Sequence, residues 1–134
     1  MRSLLISFAG TLLLLGTADT ALGAGSDAAA CVALGQTLAD RQEFILETAP
    51  ALTRIEGLPA FCKVRGTAAG RVGFEMRLPL QADWNGRFLL AGCGGFCGQL
   101  LPDKPGYSNS INASLRRGYA AMAHDSGHQA DSTA

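Results

Sequence analysis

The stretch from residue 71 to residue 98, RVGFEMRLPLQADWNGRFLLAGCGGFCG, decides the fold. Its first part alternates between apolar residues at 72, 74, 76 and 78 and Gly, Glu and Arg, which predicts a strand with one buried face. The run RFLLAG at 87–92 is apolar throughout and predicts a strand covered on both faces. The turn residues DWNG at 83–86 predict that these two strands form an antiparallel hairpin.

Weaker patterns flank this stretch on both sides. A helix is predicted over 27–41, capped by Asp27, and a short strand over 45–48. FCKVRGT at 61–67 predicts a strand ended by Gly66, and YAAMAH at 119–124 predicts another. Between the glycine-rich stretch and the 119–124 strand, SNSINASLRRGYA at 108–120 predicts a helix, with Ser108 or Ser110 as its cap and Gly118 as its stop. This order of elements is typical of the opening of an α/β sheet.

The predicted sheet is too small for its own apolar content. The few strands and the one helix after the glycine-rich stretch cannot bury both faces of the 87–92 strand. One apolar face of that strand is therefore left exposed. Bare apolar edges are aggregation sites that proteins normally avoid. The sequence therefore predicts an incomplete α/β sheet.

The first two dozen residues have the pattern of an export signal. Arg2 is followed by an apolar run from Leu4 to Leu15 and then by small residues around Gly23. The run is shorter than the roughly 20 apolar residues of a membrane-spanning helix. We expect a signal peptide over 1–23 and a secreted or periplasmic chain, without membrane attachment after cleavage. The 134 residues are formally neutral, which argues against nucleic acid as a partner.

All four cysteines lie after the predicted leader, at positions 31, 62, 93 and 97. Export favours disulfides, and four cysteines allow three pairings. A structural zinc site is disfavoured because the spacings are not CxxC and because His124 and His128 lie far downstream.

The glycine-rich stretch GCGGFCG at 92–98 raises a question of chemistry. It fails the dinucleotide-binding pattern because Cys97 stands at the third glycine, and it lacks the GK[ST] of a phosphate loop. Two interpretations remain, a disulfide-pinned turn and one half of an oxyanion hole. An oxyanion hole needs a main-chain amide free of the sheet and aimed at a carbonyl oxygen that becomes anionic.

Several motifs in order resemble one known family. FCKVRGT, VGFEMRLPLQADWNGRF, the GCGGFCG loop, LRRGYA and DSGH together resemble the tannase/feruloyl esterase family of α/β-hydrolases. The resemblance runs from about Cys31 to His128. It implies an N-terminal fragment, with a signal peptide over 1–23, an N-terminal segment with a disulfide over 24–70, and the start of a truncated α/β-hydrolase domain over 71–134.

The resemblance also implies roles for single residues. The amide of Gly95, with Gly94 as second choice, matches the loop position that forms half of the family's oxyanion hole. The serine nucleophile, the acid and the histidine of the family would lie beyond Ala134, and the sequence contains no G-x-S-x-G. A lid domain, which carries a calcium site in relatives, is also missing, so no cofactor is expected in this chain.

The family resemblance bears on the cysteines, and chain geometry bears on the residues around DSGH. Cys31 and Cys62 match positions that pair in relatives, whereas Cys93 and Cys97 either pair with each other or Cys97 bonds a cysteine outside this chain. His124, Asp125, Ser126 and His128 look like triad residues, but neighbours in sequence cannot all converge on one centre. We expect Asp125 and His128 to hydrogen-bond loop backbone instead.

Two functions follow as hypotheses. The first is the N-terminal portion of a secreted serine esterase that acts on small aromatic acid esters, inactive as this chain alone. The second is a small secreted disulfide-containing domain that binds a partner and catalyses nothing.

Overall fold

A computed structural model describes residues 19–94 and 98–128. Within these ranges the chain forms one mixed sheet with a long helix against it. In chain order the elements are α1 Asp19–Ala39, β1 Phe44–Leu46, β2 Ala51–Thr53, β3 Phe61–Ala68, β4 Val72–Pro79, β5 Phe88–Ala91, α2 Asn112–Leu115 and β6 Ala120–His124. The strands lie in the order β1-β3-β4-β6-β5, and β2 also pairs with β3. The sheet is continuous across residue 70, so the segments predicted on either side of that residue share it.

The centre of the sheet is the hairpin of β3 and β4. The two strands pair antiparallel from Phe61 opposite Pro79 to Ala68 opposite Val72. The tight turn between them has positive φ at both central residues, Ala69 (48°) and Gly70 (73°), as type I′ turns require. The strand predicted from the alternation at 72–78 is confirmed.

The predicted hairpin of β4 and β5 is wrong, because β6 lies between these strands. β6 pairs antiparallel with β4 and parallel with β5. The reason lies in the turn before β5, where the amide of Asn85 donates to the carbonyl of Gly118 at 2.9 Å. The side-chain amide of Asn85 also donates to the carbonyl of Arg117 at 2.7 Å. The turn thus docks on the junction of α2 and β6 and carries β5 past β4.

One face of the β3–β4 hairpin is apolar and lies under α1. The buried core between this face and α1 consists of Cys62, Val64 and Phe74 of the hairpin and Cys31 of the helix, with Leu34, Leu38 and Met76 among the partly buried residues around them. Burial of such side chains contributes about 25 cal/mol per Å² of apolar surface removed from water. Helix α1 begins at Asp19, eight residues before the predicted cap, so Asp27 lies inside it. The Asp27 carboxylate instead accepts a hydrogen bond from the amide of Gln81 at 3.3 Å.

The opposite face of the hairpin carries charges and is nevertheless buried. Glu75 and Arg77 are each 1% exposed, beneath the segment 98–112. The alternating pattern predicted one buried face, so the prediction of a half-buried strand is wrong on this side. The reason is that Arg77 binds Asp103 and Asn112 of the covering segment. Glu75 in turn is bound by Arg77 and by Arg65 of the neighbouring strand.

The exposed edge of the sheet is β5. Phe88 and Leu90 are 56% and 55% exposed, and Leu89 is also exposed. The prediction that this strand is covered on both faces is therefore wrong in the described residues, whereas the prediction that the available elements leave it bare is confirmed.

Two predicted element ends also need correction. β3 continues through Gly66 to Ala68, and a Cβ at Gly66 would lie 2.4 Å from the carbonyl oxygen of Ile45, so glycine is there to let β1 approach. Helix α2 is a single turn whose N-cap is Ile111 without a side-chain bond, so neither Ser108 nor Ser110 caps it. Gly118, at φ 78°, follows the helix as predicted, and its amide donates to the carbonyl of Leu115 at 2.9 Å.

Candidate active site

The candidate site lies at the carboxyl ends of β5 and β6. These strands are parallel, so their ends meet at one edge of the sheet. The glycine-rich stretch follows β5, and the DSGH motif follows β6. The two are in contact, since Cys93 Sγ lies 3.7 Å from the hydroxyl oxygen of Ser126. Open α/β sheets commonly bind ligands in the crevice outside such strand ends.

The glycine-rich stretch leaves the sheet before Gly94. β5 ends at Ala91, and the amide of Gly94 donates to the hydroxyl of Ser108 at 3.1 Å. An added Cβ at Gly94 would meet nothing within 4 Å, so the space beside it is open. Gly95 and Cys97 lie outside the described residues, and the oxyanion role of Gly95 and Gly94 stays a prediction.

The segment 98–112 packs against the start of this loop. Asn109 is 1% exposed, and its side-chain amide donates to the carbonyl of Gln99 at 2.8 Å and to that of His124 at 3.4 Å. Neighbouring residues 108 and 109 thus bind Gly94 and Gln99, which lie on either side of positions 95–97. Sequence reasoning treated Ser108 as a helix cap and gave Asn109 no role.

The turn after β6 is organised by Asp125. This carboxylate is buried, and its Oδ1 accepts from the amides of Gly73 at 2.9 Å and of Gly127 at 2.8 Å. A Cβ at Gly73 would lie 2.6 Å from Asp125 Oδ2, which explains why glycine stands there. The expected role of Asp125 in binding loop backbone is confirmed. His128 is exposed, and its main-chain amide donates to the carbonyl of Asp125 at 3.3 Å.

Ser126 and His124 form a local contact on the same turn. Ser126 has a positive φ of 61°, unusual for a residue other than glycine. Its amide donates to His124 Nδ1 at 3.2 Å, and its hydroxyl lies 3.4 Å from the same nitrogen. Asp125 Oδ1 accepts hydrogen bonds from the main-chain amides of residues 73 and 127. The turn therefore uses these side chains to hold its own backbone.

A buried ion network anchors the segment 98–112 to the sheet. The Arg77 guanidinium donates to Glu75 at 2.6 and 2.8 Å and to Asp103 at 2.9 and 3.0 Å. It also donates to the side-chain oxygen of Asn112 and lies 5.0 Å from the ring centre of Phe61. Planar Arg–carboxylate pairs with two hydrogen bonds are among the stronger polar contacts in proteins.

The pKa values of this network follow from its geometry. Desolvation by burial lowers the pKa of Arg77, but hydrogen bonds to Asp103 and Glu75 outweigh it, so the net shift is upward. The hydrogen bond from Arg77 lowers the pKa of Asp103 below its usual value. Sequence reasoning missed the network, although opposite charges two residues apart on a strand share one face.

The cysteines fall into two groups. Cys31 and Cys62 form a disulfide that ties α1 to β3, the pair that the family resemblance implies. None of the described cysteines is a free thiol. Cys93 Sγ lies 2.9 Å from the carbonyl oxygen of His124, next to the candidate site. The pairing of Cys93 with Cys97 stays a prediction, because Cys97 lies outside the described residues.

The described residues offer neither a metal cluster nor a membrane-spanning helix. Across 19–94 and 98–128, no group of three or more His, Cys, Asp or Glu residues could hold a metal ion. In the same part of the chain, no helix has both the length and the apolar character needed to cross a membrane.

Comparison with known proteins decides the family. The model of the family described as tannase and feruloyl esterase matches residues 54–134. The chain belongs to this family. The match covers both the glycine-rich stretch and the DSGH motif, so the resemblance seen in the sequence is confirmed.

Two relatives and one solved structure are similar to this family member. It is 38% identical over 87 residues to an uncharacterized esterase from Xanthomonas campestris pv. campestris, covering 62% of this chain and 14% of the relative. It is 34% identical over 90 residues to mono(2-hydroxyethyl) terephthalate hydrolase from Piscinibacter sakaiensis, covering 61% of this chain and 15% of that one. The crystal structure of feruloyl esterase B from Aspergillus oryzae superposes with a TM-score of 0.52 at 19% identity, over 78% of this chain and 22% of that one.

These matches establish the fold class and show how much of its relatives' length the chain spans. The structural likeness confirms the predicted α/β fold class, with a partial α/β-hydrolase sheet. The chain spans 14–15% of the length of the two curated relatives. The family and the esterase relatives indicate carboxylic ester hydrolysis as the chemistry of this group, with small-molecule esters as substrates.

Proposed function

We propose that this chain is the N-terminal portion of a secreted serine hydrolase that cleaves esters of aromatic acids. Its glycine-rich loop supplies one main-chain amide to the oxyanion of the acyl-transfer transition state. The observation that carries the proposal is the position of this loop. It leaves the ladder after Ala91, at the carboxyl end of a parallel strand, with open space beside Gly94. Amides held in such a place are worth more to a developing negative charge than hydrogen bonds in water.

The contacts of Gly94 favour its neighbour as the donor. The Gly94 amide already donates to Ser108 at 3.1 Å, so it is engaged without a substrate. This supports Gly95 as the first choice and Gly94 as the second.

The names of two similar proteins support the substrate class. One is a feruloyl esterase and the other a mono(2-hydroxyethyl) terephthalate hydrolase, and both names describe esters of an aromatic acid. We extend that class to this chain. Methyl ferulate and methyl gallate are therefore suitable test substrates.

The 134-residue chain alone has negligible esterase activity under this proposal. Its sequence has no G-x-S-x-G for a nucleophile. The bare faces of β5 fit a sheet that needs further elements. The export pattern over 1–23 and the Cys31–Cys62 disulfide support a secreted or periplasmic location, where disulfides persist.

The test begins with the coding sequence downstream of Ala134. A serine elbow in that extension supports the esterase, whereas a true stop codon supports the non-catalytic binding domain. The extended and the 134-residue polypeptides are then assayed on methyl ferulate and methyl gallate. We expect turnover only from the extended form, and turnover by the purified 134-residue chain would contradict the proposal.

A substitution tests the amide itself in the extended polypeptide. Gly95→Pro removes the N–H and should lower kcat by roughly 10²–10³-fold, the usual effect of deleting an oxyanion donor. Gly95→Ala keeps the N–H and is the matched control. Equal kcat values for the two variants would remove Gly95 from the oxyanion hole.

A further inference from the structure

Residues 108 and 109 make hydrogen bonds before and after the central residues of the glycine-rich loop. The Ser108 hydroxyl accepts the amide of Gly94 at 3.1 Å, and the Asn109 side chain donates to the carbonyl of Gln99 at 2.8 Å. One short piece of chain therefore binds the chain on either side of positions 95–97. We propose that Ser108 and Asn109 are positioning residues that hold the glycine-rich loop for catalysis, an inference that rests on the proposed function.

Ser108 and Asn109 differ in burial, and each contributes differently to holding the loop. Asn109 is buried at 1% exposure, and its side-chain amide also reaches the carbonyl of His124, so it ties the loop to the end of β6. Ser108 is exposed, and its hydroxyl accepts a hydrogen bond from the amide of Gly94. Asn109 thus fixes the loop to the sheet, and Ser108 fixes the orientation of its first peptide group.

The segment that carries both residues is itself anchored. Upstream, Asp103 receives two hydrogen bonds from the buried Arg77. Downstream, Ile111 is fully buried, and its amide donates to the carbonyl of Pro102 at 3.0 Å. Residues 108 and 109 lie between these anchors. A support that is fixed at both ends can hold a glycine-rich loop, which has little conformational preference of its own.

The catalytic argument concerns orientation. Glycine permits many backbone conformations, so an amide in this loop points at one place only if hydrogen bonds select one conformation. A misplacement of about 1 Å can cost on the order of 10²-fold in rate. Removal of the Ser108 hydroxyl should therefore lower kcat while leaving the substrate-binding surface, and KM, nearly unchanged.

The first experiment measures the hydrogen bond without any activity. Amide hydrogen exchange at Gly94 is followed by NMR in the 134-residue chain and in the Ser108→Ala, Ser108→Thr and Ser110→Ala variants. We expect exchange to be roughly three- to tenfold faster in Ser108→Ala, the scale of one lost hydrogen bond. Ser108→Thr keeps a hydroxyl and should restore protection.

Ser110→Ala is the matched control, because the Ser110 hydroxyl donates to the carbonyl of Pro102 at 3.3 Å, whereas Gly94 is bound by Ser108. If Gly94 of the unsubstituted chain exchanges at the rate of an unprotected amide, the proposal is overturned whatever the variants do. The same holds if Ser108→Ala leaves its exchange unchanged.

The second experiment uses the extended polypeptide with methyl ferulate as the probe. Ser108→Ala should lower kcat about tenfold or more with KM within about twofold, and Ser108→Thr should recover most of the loss. Asn109→Ala should act in the same direction. Faster Gly94 exchange with an unchanged kcat would overturn the positioning role.

The two readouts separate the failure of this inference from that of the proposed function. An extended polypeptide that cleaves no ester overturns the proposed function and the catalytic role of Ser108 with it, while the exchange data still report the hydrogen bond. An active parent with an unaffected Ser108→Ala variant overturns only the inference drawn here.

Discussion

The two faces of the β3–β4 hairpin solve burial in opposite ways. Beneath α1, Val64 and Phe74 are removed from water as hydrocarbon, and a disulfide closes the layer. Beneath the segment 98–112, Glu75 and Arg77 are equally inaccessible but charged. The apolar face gains free energy simply by leaving water, whereas the charged face must recover a desolvation penalty through geometry. The apolar face should therefore tolerate small changes, and the charged face should not.

The strongest way to break the charged face is Arg77→Met. The variant leaves the Glu75 carboxylate, at 1% exposure, without its short hydrogen bonds, and it also releases Asp103. We expect the free energy of unfolding to fall by about 3–5 kcal/mol in urea denaturation. Adding Glu75→Gln should recover part of the loss because the buried charge is gone. A loss below about 1 kcal/mol would show that the network is not a structural anchor.

The apolar face is tested by replacing both Cys31 and Cys62 with alanine. The sequence separation is 31, so the chain-entropy model predicts a loss of about 3–4 kcal/mol. Urea denaturation of the double variant against the oxidised parent gives the value. Added reductant should destabilise the parent more than the variant. If reductant lowered the stability of the parent and of the double variant equally, its effect would have to act on a disulfide other than Cys31–Cys62.

Asp103→Asn sharpens the comparison through pH. The hydrogen bond from Arg77 holds the pKa of Asp103 below its usual 3.8. The stabilisation is therefore fully present above pH 3.8 and is lost as the pH falls through the lowered value. Because the Asp103 side chain is 58% exposed, we expect no more than about 1 kcal/mol at neutral pH.

Thermal unfolding of the parent and Asp103→Asn between pH 6 and about pH 3 measures that difference. The gap between the two should narrow as the pH falls below 3.8. A gap that widens on acidification would contradict the assignment of the shift to Asp103.

The smallest effect is expected at the exposed end of the same network. Glu47 accepts from Arg65 at 2.8 Å, but the two side chains are 49% and 36% exposed. Glu47→Gln should change the free energy of unfolding by less than about 0.5 kcal/mol. It is thus the control for Arg77→Met, because it removes an arginine–carboxylate ion pair that is exposed to water instead of buried. A loss as large as that of Arg77→Met would show that burial is not what separates the two sites.

The sequence predicted local features well and pairing poorly. The alternation at 72–78 located β4, and Gly118 marked the end of α2, because both signals are carried by adjacent residues. The partner of β4 was mispredicted because it depends on Asn85 binding the backbone near Gly118, a contact between distant positions. The buried state of Arg77 likewise depends on Asp103, 26 residues away.

The candidate site was predicted only in outline. The order of motifs gave the family and placed the glycine-rich stretch after a strand. It did not give the hydrogen bond from Gly94 to Ser108, since serine there is equally compatible with a helix cap. The start of α1 was misplaced because Gly23, Gly25 and Ser26 are weak helix formers and nevertheless lie within the helix.

The tight turn at Ala69 and Gly70 has a consequence for the route by which the chain reaches this structure. A hairpin closed by such a turn can form in about 1–10 µs, because little chain entropy is lost in bringing its strands together. The parallel pair β5–β6 must first close the connection 92–119, and parallel pairing across a long crossover is intrinsically slow. We expect β3 and β4 to form the nucleus, and the strands that carry the glycine-rich loop and the DSGH turn to join last.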